Sequence, residues 1–167
     1  MTIKVIAMSE ALTTHSIPSD LIRFAMRVAK QSNPNEVPVG AVVILPGDGK
    51  NFVGVNTRQN NNDIAGHAEI NALRAASNTV GSWRLQGATL VSTLEPCPMC
   101  AYAIAESGVS KLIFGAYDPK VGSAGSALDL LRGWPTLRSV EVHGGVMEEE
   151  CRAQLQNFFS KLRSSTR

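Results

Sequence analysis

Two prolines one residue apart, Pro96 and Pro98, follow directly on the apolar run Ala88-Thr89-Leu90-Val91-Ser92-Thr93-Leu94. Proline has no N–H to give a strand ladder, yet its fixed φ suits the first turn of a helix. The pair therefore sets one junction firmly: a strand over 88–94 stops there, and a helix over about 97–107 starts. The rest of the chain has to be arranged around that strand-to-helix step.

Similar punctuation divides the remainder. Residues 1–18 form a flexible leader, and Pro18-Ser19 opens a helix over 20–31 with Ser19 as N-cap, on which Leu21, Ala25, Val28 and Ala29 recur at helical spacing. Strands over 39–45 and 51–55 are joined by Pro46-Gly47-Asp48-Gly49, a hairpin turn. The polar run 57–66 is a loop leading to a helix over 68–76, and a fourth strand covers 111–115. A glycine-rich loop at 118–126, a short helix at 127–132 and a fifth strand at 140–143 precede a last helix from 147. On that helix Cys151, Leu155, Phe158 and Leu162 share one face. Helix, hairpin, then helix and strand in turn predict an α/β domain of three layers. Its five-stranded mixed sheet has helices on both faces, with the hairpin at one side and crossover-linked parallel strands beyond it. Ligands in such sheets sit outside the carboxyl ends of the strands.

Composition bounds what this domain can be. At 167 residues, 44% hydrophobic and 18% charged, residues 19–167 suit one globular domain. A chain this long buries roughly 70% of its unfolded surface, so no covalent staple is needed. Three cysteines, Cys97, Cys100 and Cys151, argue against a disulfide scaffold and leave metal binding, reactivity or packing. A net charge of +2 excludes a wholesale polyanion binder but allows a local basic patch. The apolar stretch at 5–8 is too short for a signal peptide, and 37–45 is about half a membrane span. The expectation is a cytoplasmic, soluble protein with no membrane partner.

The residues that carry chemistry are His67-Ala68-Glu69 and Pro96-Cys97-Pro98-Met99-Cys100. Three residues apart in a first helical turn, Cys97 and Cys100 point the same way, and free N–H groups favour their thiolates. His67 adds a nitrogen, making three zinc ligands, and a tetrahedral ion then keeps a fourth position for water, as catalytic sites do. Glu69 lies two positions from His67 and cannot share its face on a regular helix, so the pair belongs at an irregular helix start. A carboxylate there takes the proton of the water and passes it on as general base and then general acid. His-x-Glu followed by Pro-Cys-x-x-Cys is the signature of zinc-dependent nucleobase deaminases. A closed structural zinc site would instead recruit Cys151 or His143 as fourth ligand, and ordinary core packing accounts for Cys151 better than for Cys97 and Cys100.

At these residues the chain resembles the cytidine-deaminase-like superfamily, and within it the bacterial tRNA-specific adenosine deaminases. The likeness extends to Glu36-Val37-Pro38-Val39-Gly40-Ala41, Gly54-Val55-Asn56, Thr93-Leu94-Glu95, Phe114-Gly115-Ala116 and Gly122-Ser123-Ala124-Gly125-Ser126. It implies the cytidine-deaminase-like fold and one zinc per subunit on His67, Cys97 and Cys100, with Glu69 shuttling protons. It also implies that Asn56 hydrogen-bonds the flipped base, that Val37 and Leu94 wall its pocket, and that the protein is a homodimer with the pocket near the interface. The implied reaction is hydrolysis of the wobble adenosine in a tRNA anticodon stem-loop to inosine, with ammonia released after attack at C6 and protonation at N1. Gly66 replaces the alanine usual before the histidine, and Ala101-Tyr102-Ala103 replaces Ala-Gly-Ala. Pro98, which occurs in guanine-deaminase-like sequences, and Tyr102 motivate a second reading, a deaminase of a free base or nucleoside of guanine or cytosine type. A third, in which Glu69 is incidental, is a non-catalytic zinc or RNA-binding module. With 5% aromatic residues there is no repeated stacking platform, while Arg152, Lys161, Arg163 and Arg167 after Glu150 form a basic end that suits phosphate and a helix dipole alike.

Overall fold

The structure is a computed structural model and describes residues 12–47, 49–133 and 138–165. Ten elements follow one another. They are α1 (Pro18–Ala29), β1 (Gly40–Ile44), β2 (Asn51–Val55), α2 (Arg58–Asn61), α3 (Ala68–Val80), β3 (Thr89–Leu94), α4 (Pro98–Glu106), β4 (Lys111–Ala116), β5 (Glu141–His143) and α5 (Glu148–Ser165). The five strands form one sheet in the order β2-β1-β3-β4-β5. β1 runs antiparallel to both β2 and β3, while β3, β4 and β5 are parallel. Hairpin at one side and crossovers beyond is the arrangement that the segment order predicts.

Alternation along the strands builds two cores, one on each face of the sheet. Ala41 and Val43 of β1, Leu90 of β3, and Leu112 and Phe114 of β4 pack under α3 and α4, with Ala72, Ala76 and Ile104 from the helices. Val42, Ile44, Val91 and Ile113 point the other way, against Leu21, Phe24, Ala25 and Val28 of α1 and Cys151 of α5. All five residues of β1 are buried, as a strand covered on both faces must be.

Several boundaries differ from the sequence expectation. Pro18 itself is the first residue of α1 and Ile17 its N-cap, with no side-chain cap, so Ser19 lies inside the helix. The fixed φ of proline starts the helix two residues earlier than a Ser19 cap would. Residues 1–11 of the expected leader lie outside the described residues, but Leu12 is buried in the α1-side core. The 57–66 loop contains the short helix α2. Residues 127–132 are not helical: the Gly125 N–H donates to the Leu128 carbonyl, and Ala124 bridges Asp129. On α5, Cys151 is buried, Leu155 and Phe158 are half-buried and Leu162 is exposed, so the apolar face is covered only at its start. Among the described residues no helix is long and apolar enough to cross a membrane.

β2, β3 and β4 all end at the edge of the sheet where β1 begins. Asn56 follows β2, Glu95-Pro96-Cys97 follows β3, Tyr117-Asp118 follows β4, and Val37 to Val39 lead into β1. The amino ends of α3 and α4 arrive at the same edge. Close approach of α3 depends on Gly54, where a Cβ would stand 2.1 Å from the Ala68 carbonyl oxygen and 2.5 Å from the Ala72 nitrogen.

Candidate metal centre and cleft

His67 and Cys97 are the N-caps of α3 and α4, both in extended backbone, and Glu69 and Cys100 sit in the first turns that follow. Pro98 at the start of α4 holds Cys97 outside the helix while Cys100 is already in it, so the two sulfurs converge. His67 Nδ1 lies 3.5 Å from Cys97 Sγ and 3.4 Å from Cys100 Sγ. Zn–S bonds of about 2.3 Å and Zn–N bonds of about 2.0–2.1 Å at tetrahedral angles require a sulfur-to-nitrogen edge of about 3.6 Å. Both sulfur-to-nitrogen distances thus match edges of a zinc tetrahedron, and all three ligand atoms lie within 4.8 Å of one another. Neither alternative fourth ligand is near: Cys151 packs in the core on the opposite face of the sheet, and His143 pairs with Glu141 on the edge strand.

The electrostatics divide the two thiols. Hydrogen bonds accepted from Cys100 and from His67 hold Cys97 down at about 4, so it is the natural thiolate of the pair. Cys100, donating to Cys97 and buried, is pushed well above the usual thiol range. His67 is raised chiefly by its hydrogen bond with Cys97.

Glu69 is buried, and burial raises its carboxyl above the usual range. Ser92 Oγ donates to Glu69 Oε1 at 3.2 Å, and Cys100 Sγ lies 3.6 Å from Oε2. One carboxylate oxygen is thus tethered to the sheet, while the other faces the sulfur pair. A carboxyl held beside a metal site with a raised pKa is suited to carry a proton in both directions near neutral pH.

These groups open into a cleft of about 190 Å³ lined by His67, Glu69 and Cys97 at its base and by Val37, Asn56 and Leu94 on its walls. The structure brings the six together, and Cys100 stands buried behind Cys97. Val39, Ala68 and Glu95 also line it, and Arg58, Gln59, Asp118 and Val121 stand at its rim. Tyr102 does not reach the cleft. It is 49% exposed on α4 and lines a separate groove with Ile70, Leu73 and Trp83.

Two buried acids were not singled out from the sequence. Glu36, 1% exposed, accepts from Asn56 Nδ2 at 3.0 Å and from the Asn60 N–H at 2.7 Å. A carboxylate only accepts, so Glu36 fixes which side of the Asn56 amide points at it and leaves the amide oxygen to the cleft. Glu95, 2% exposed, accepts from the loop that follows β4. The trace each leaves in the sequence is an acid set directly beside an expected site residue, Glu36 before Val37 and Glu95 after Leu94.

Known proteins are similar to this chain. Residues 16–116 match the model of the cytidine and deoxycytidylate deaminase zinc-binding region. The tRNA-specific adenosine deaminase of Bacillus subtilis (strain 168) is 42% identical over 142 residues, covering 83% of this chain and 86% of that protein. The tRNA-specific adenosine deaminase of Haemophilus influenzae is 37% identical over 159 residues, covering 93% and 91%. A solved structure from biochemical and structural studies of A-to-I editing by tRNA:A34 deaminases at the wobble position of transfer RNA superimposes with a TM-score of 0.75 at 36% identity. It covers 81% of this chain and 99% of that one.

Proposed function

The chain belongs to the cytidine and deoxycytidylate deaminase family of zinc enzymes, and from that membership we propose that it deaminates the wobble adenosine of a tRNA anticodon to inosine, releasing ammonia. The observation that carries this is the meeting of the His67, Cys97 and Cys100 ligand atoms beside the buried Glu69 at the floor of one cleft, in a chain 42% identical to a tRNA-specific adenosine deaminase.

His67, Cys97 and Cys100 would hold a zinc ion, which would supply Lewis-acid activation of water. Glu69 would carry one proton of the attacking water to N1 of the adenine ring as the oxygen bonds C6, and then the second, from the new C6 hydroxyl, to the 6-amino group, which departs as ammonia. Ser92 keeps the Glu69 carboxylate aimed during both transfers. Asn56, its amide oriented by Glu36, hydrogen-bonds the flipped base, and Val37 and Leu94 pack on its faces. A flipped base is what a cleft of this size accepts, since only an unstacked nucleotide brings its ring edge to the floor. Arg58 at the rim supplies a cation for the strand's phosphate.

The protein works as a homodimer on this reading. Support comes from the groove beside α3 and α4, where Trp83, just after α3, and Tyr102 of α4 are 51% and 49% exposed beside Ile70 and Leu73 of α3. Three free cysteines and a tRNA substrate agree with a cytoplasmic location.

Glu69→Ala tests the chemistry. The variant binds one zinc per chain, as the unmodified protein does, and its inosine yield from an anticodon stem-loop falls by about 10²–10⁴-fold, the usual contribution of general acid–base catalysis. An active variant contradicts the assigned role.

A further inference from the structure

Glu95 stands between the ligand-bearing turn and the loop that forms the far rim of the cleft. We propose that it is a positioning residue for substrate binding: its buried carboxylate clamps residues 118–126 against the Pro96-Cys97 turn and so holds Asp118 and Val121 at the rim. This rests on the deaminase reading of the cleft and goes beyond it by assigning the outer wall's geometry to one side chain.

The clamp is fully built. Oε1 accepts from the Ala124 N–H at 3.0 Å and the Ser126 N–H at 3.1 Å. Oε2 accepts from the Asp118 N–H at 3.0 Å and from the Ser126 hydroxyl. Both ends of the loop are thus tied to one carboxylate that is 2% exposed. The loop also meets the ligand turn directly, through the Ser123 N–H to the Pro96 carbonyl at 2.8 Å. Within the loop, Asp118 Oδ1 accepts from the Lys120 N–H at 2.9 Å and the Val121 N–H at 3.3 Å, so the position of Val121 follows that of Asp118. Gly122 passes so close that a Cβ there would stand 2.3 Å from Glu95 Oε2 and 2.4 Å from the Asp118 carbonyl oxygen. A loop packed this tightly on an acceptor-only group has one arrangement.

Neutral glutamine in its place retains one acceptor oxygen and turns an NH2 group toward N–H donors, which breaks half of the clamp without emptying the space. The zinc ligands sit at the amino ends of α3 and α4, where His67 and Cys97 are the N-caps and Cys100 is in the first turn of α4, so zinc content is expected to stay. The effect is expected in substrate binding rather than in the chemical step.

The test uses the full zinc-loaded chain and the variants Glu95→Gln and Gly122→Ala, the second displacing the carboxylate without altering its charge. Hydrogen exchange of the segment 117–127 is expected to accelerate at least tenfold in both, with the segments carrying His67 and Cys100 unchanged and zinc content the same. On an anticodon stem-loop KM rises about tenfold while kcat stays within about twofold. Unchanged exchange in 117–127, or a fall in kcat with KM unmoved, overturns the proposal. If the unmodified protein forms no inosine, the deaminase reading fails on that result alone, and the exchange comparison still decides whether Glu95 holds the loop.

Discussion

Gly54→Ala perturbs the contact that sets α3 on the sheet. The added Cβ would stand 2.1 Å from the Ala68 carbonyl oxygen, 2.5 Å from the Ala72 nitrogen and 3.1 Å from the Ala72 Cα, where ordinary contact begins at 3.4 Å. All three atoms are backbone, so no rotamer change relieves the overlap, and the strand and helix must separate by about 1.3 Å (3.4 minus 2.1). If α3 yields, His67 and Glu69 withdraw from Cys97 and Cys100, and the 3.4–3.5 Å edges of the ligand set open. If β2 yields, as an edge strand can, Asn56 moves instead. Overpacking of this kind costs about 3 kcal/mol, which at roughly 2–4 °C per kcal/mol lowers Tm by about 6–12 °C. A displacement of about 1 Å at the reacting groups costs about 10²-fold in turnover. Thermal unfolding, zinc content and inosine formation, measured on one preparation, check the three consequences. A variant whose Tm, zinc and turnover all match the unmodified protein would refute the argument that Gly54 sets the helix.

The other expectations concern the two ends of the fold. On the homodimer proposal the unmodified protein sediments as a dimer and Tyr102→Glu, which places a charge in the α3–α4 groove, as a monomer; a monomeric unmodified protein or a dimeric variant would contradict that proposal. Burial pushes the Cys151 thiol up to about 11 from an ordinary 9.0. A raised folded pKa contributes stability fully present below about pH 9 and lost as pH rises through about 11. Urea unfolding should therefore show a falling alkaline limb, flatter in Cys151→Ala, and equal limbs in the two proteins would show that Cys151 does not titrate as described.

Much of this was legible because it is local. Pro96 and Pro98 dictate the junction of β3 and α4, and the three-residue spacing of Cys97 and Cys100 places both sulfurs in one helical turn whatever surrounds them. The two-residue spacing of His67 and Glu69 requires an irregular helix start, and His67 is the N-cap. What the chain does not announce depends on distant partners. Glu36 and Glu95 are ordinary acids until Asn60, 24 residues on, and Ser126, 31 residues on, bring their N–H groups. Residues 127–132 have helical composition, yet the tie from Gly125 to Leu128 and the Ala124–Asp129 bridge turn them into a folded-back loop. The stripe on α5 is periodic beyond the point at which the sheet can cover it, so periodicity overstated how far the helix is buried at Leu162.

The central claim is that the cleft over His67, Glu69, Cys97 and Cys100 acts on one adenosine of an RNA loop. Position-resolved inosine mapping tests it most directly: the zinc-loaded protein is given an anticodon stem-loop with adenosine at the wobble position, the same loop with that adenosine shifted by one nucleotide, and free adenine, guanine and cytosine. Inosine at the wobble position alone, with no ammonia released from the free bases, is the predicted result. Ammonia from a free base at ordinary turnover, with the RNA left unchanged, would contradict it.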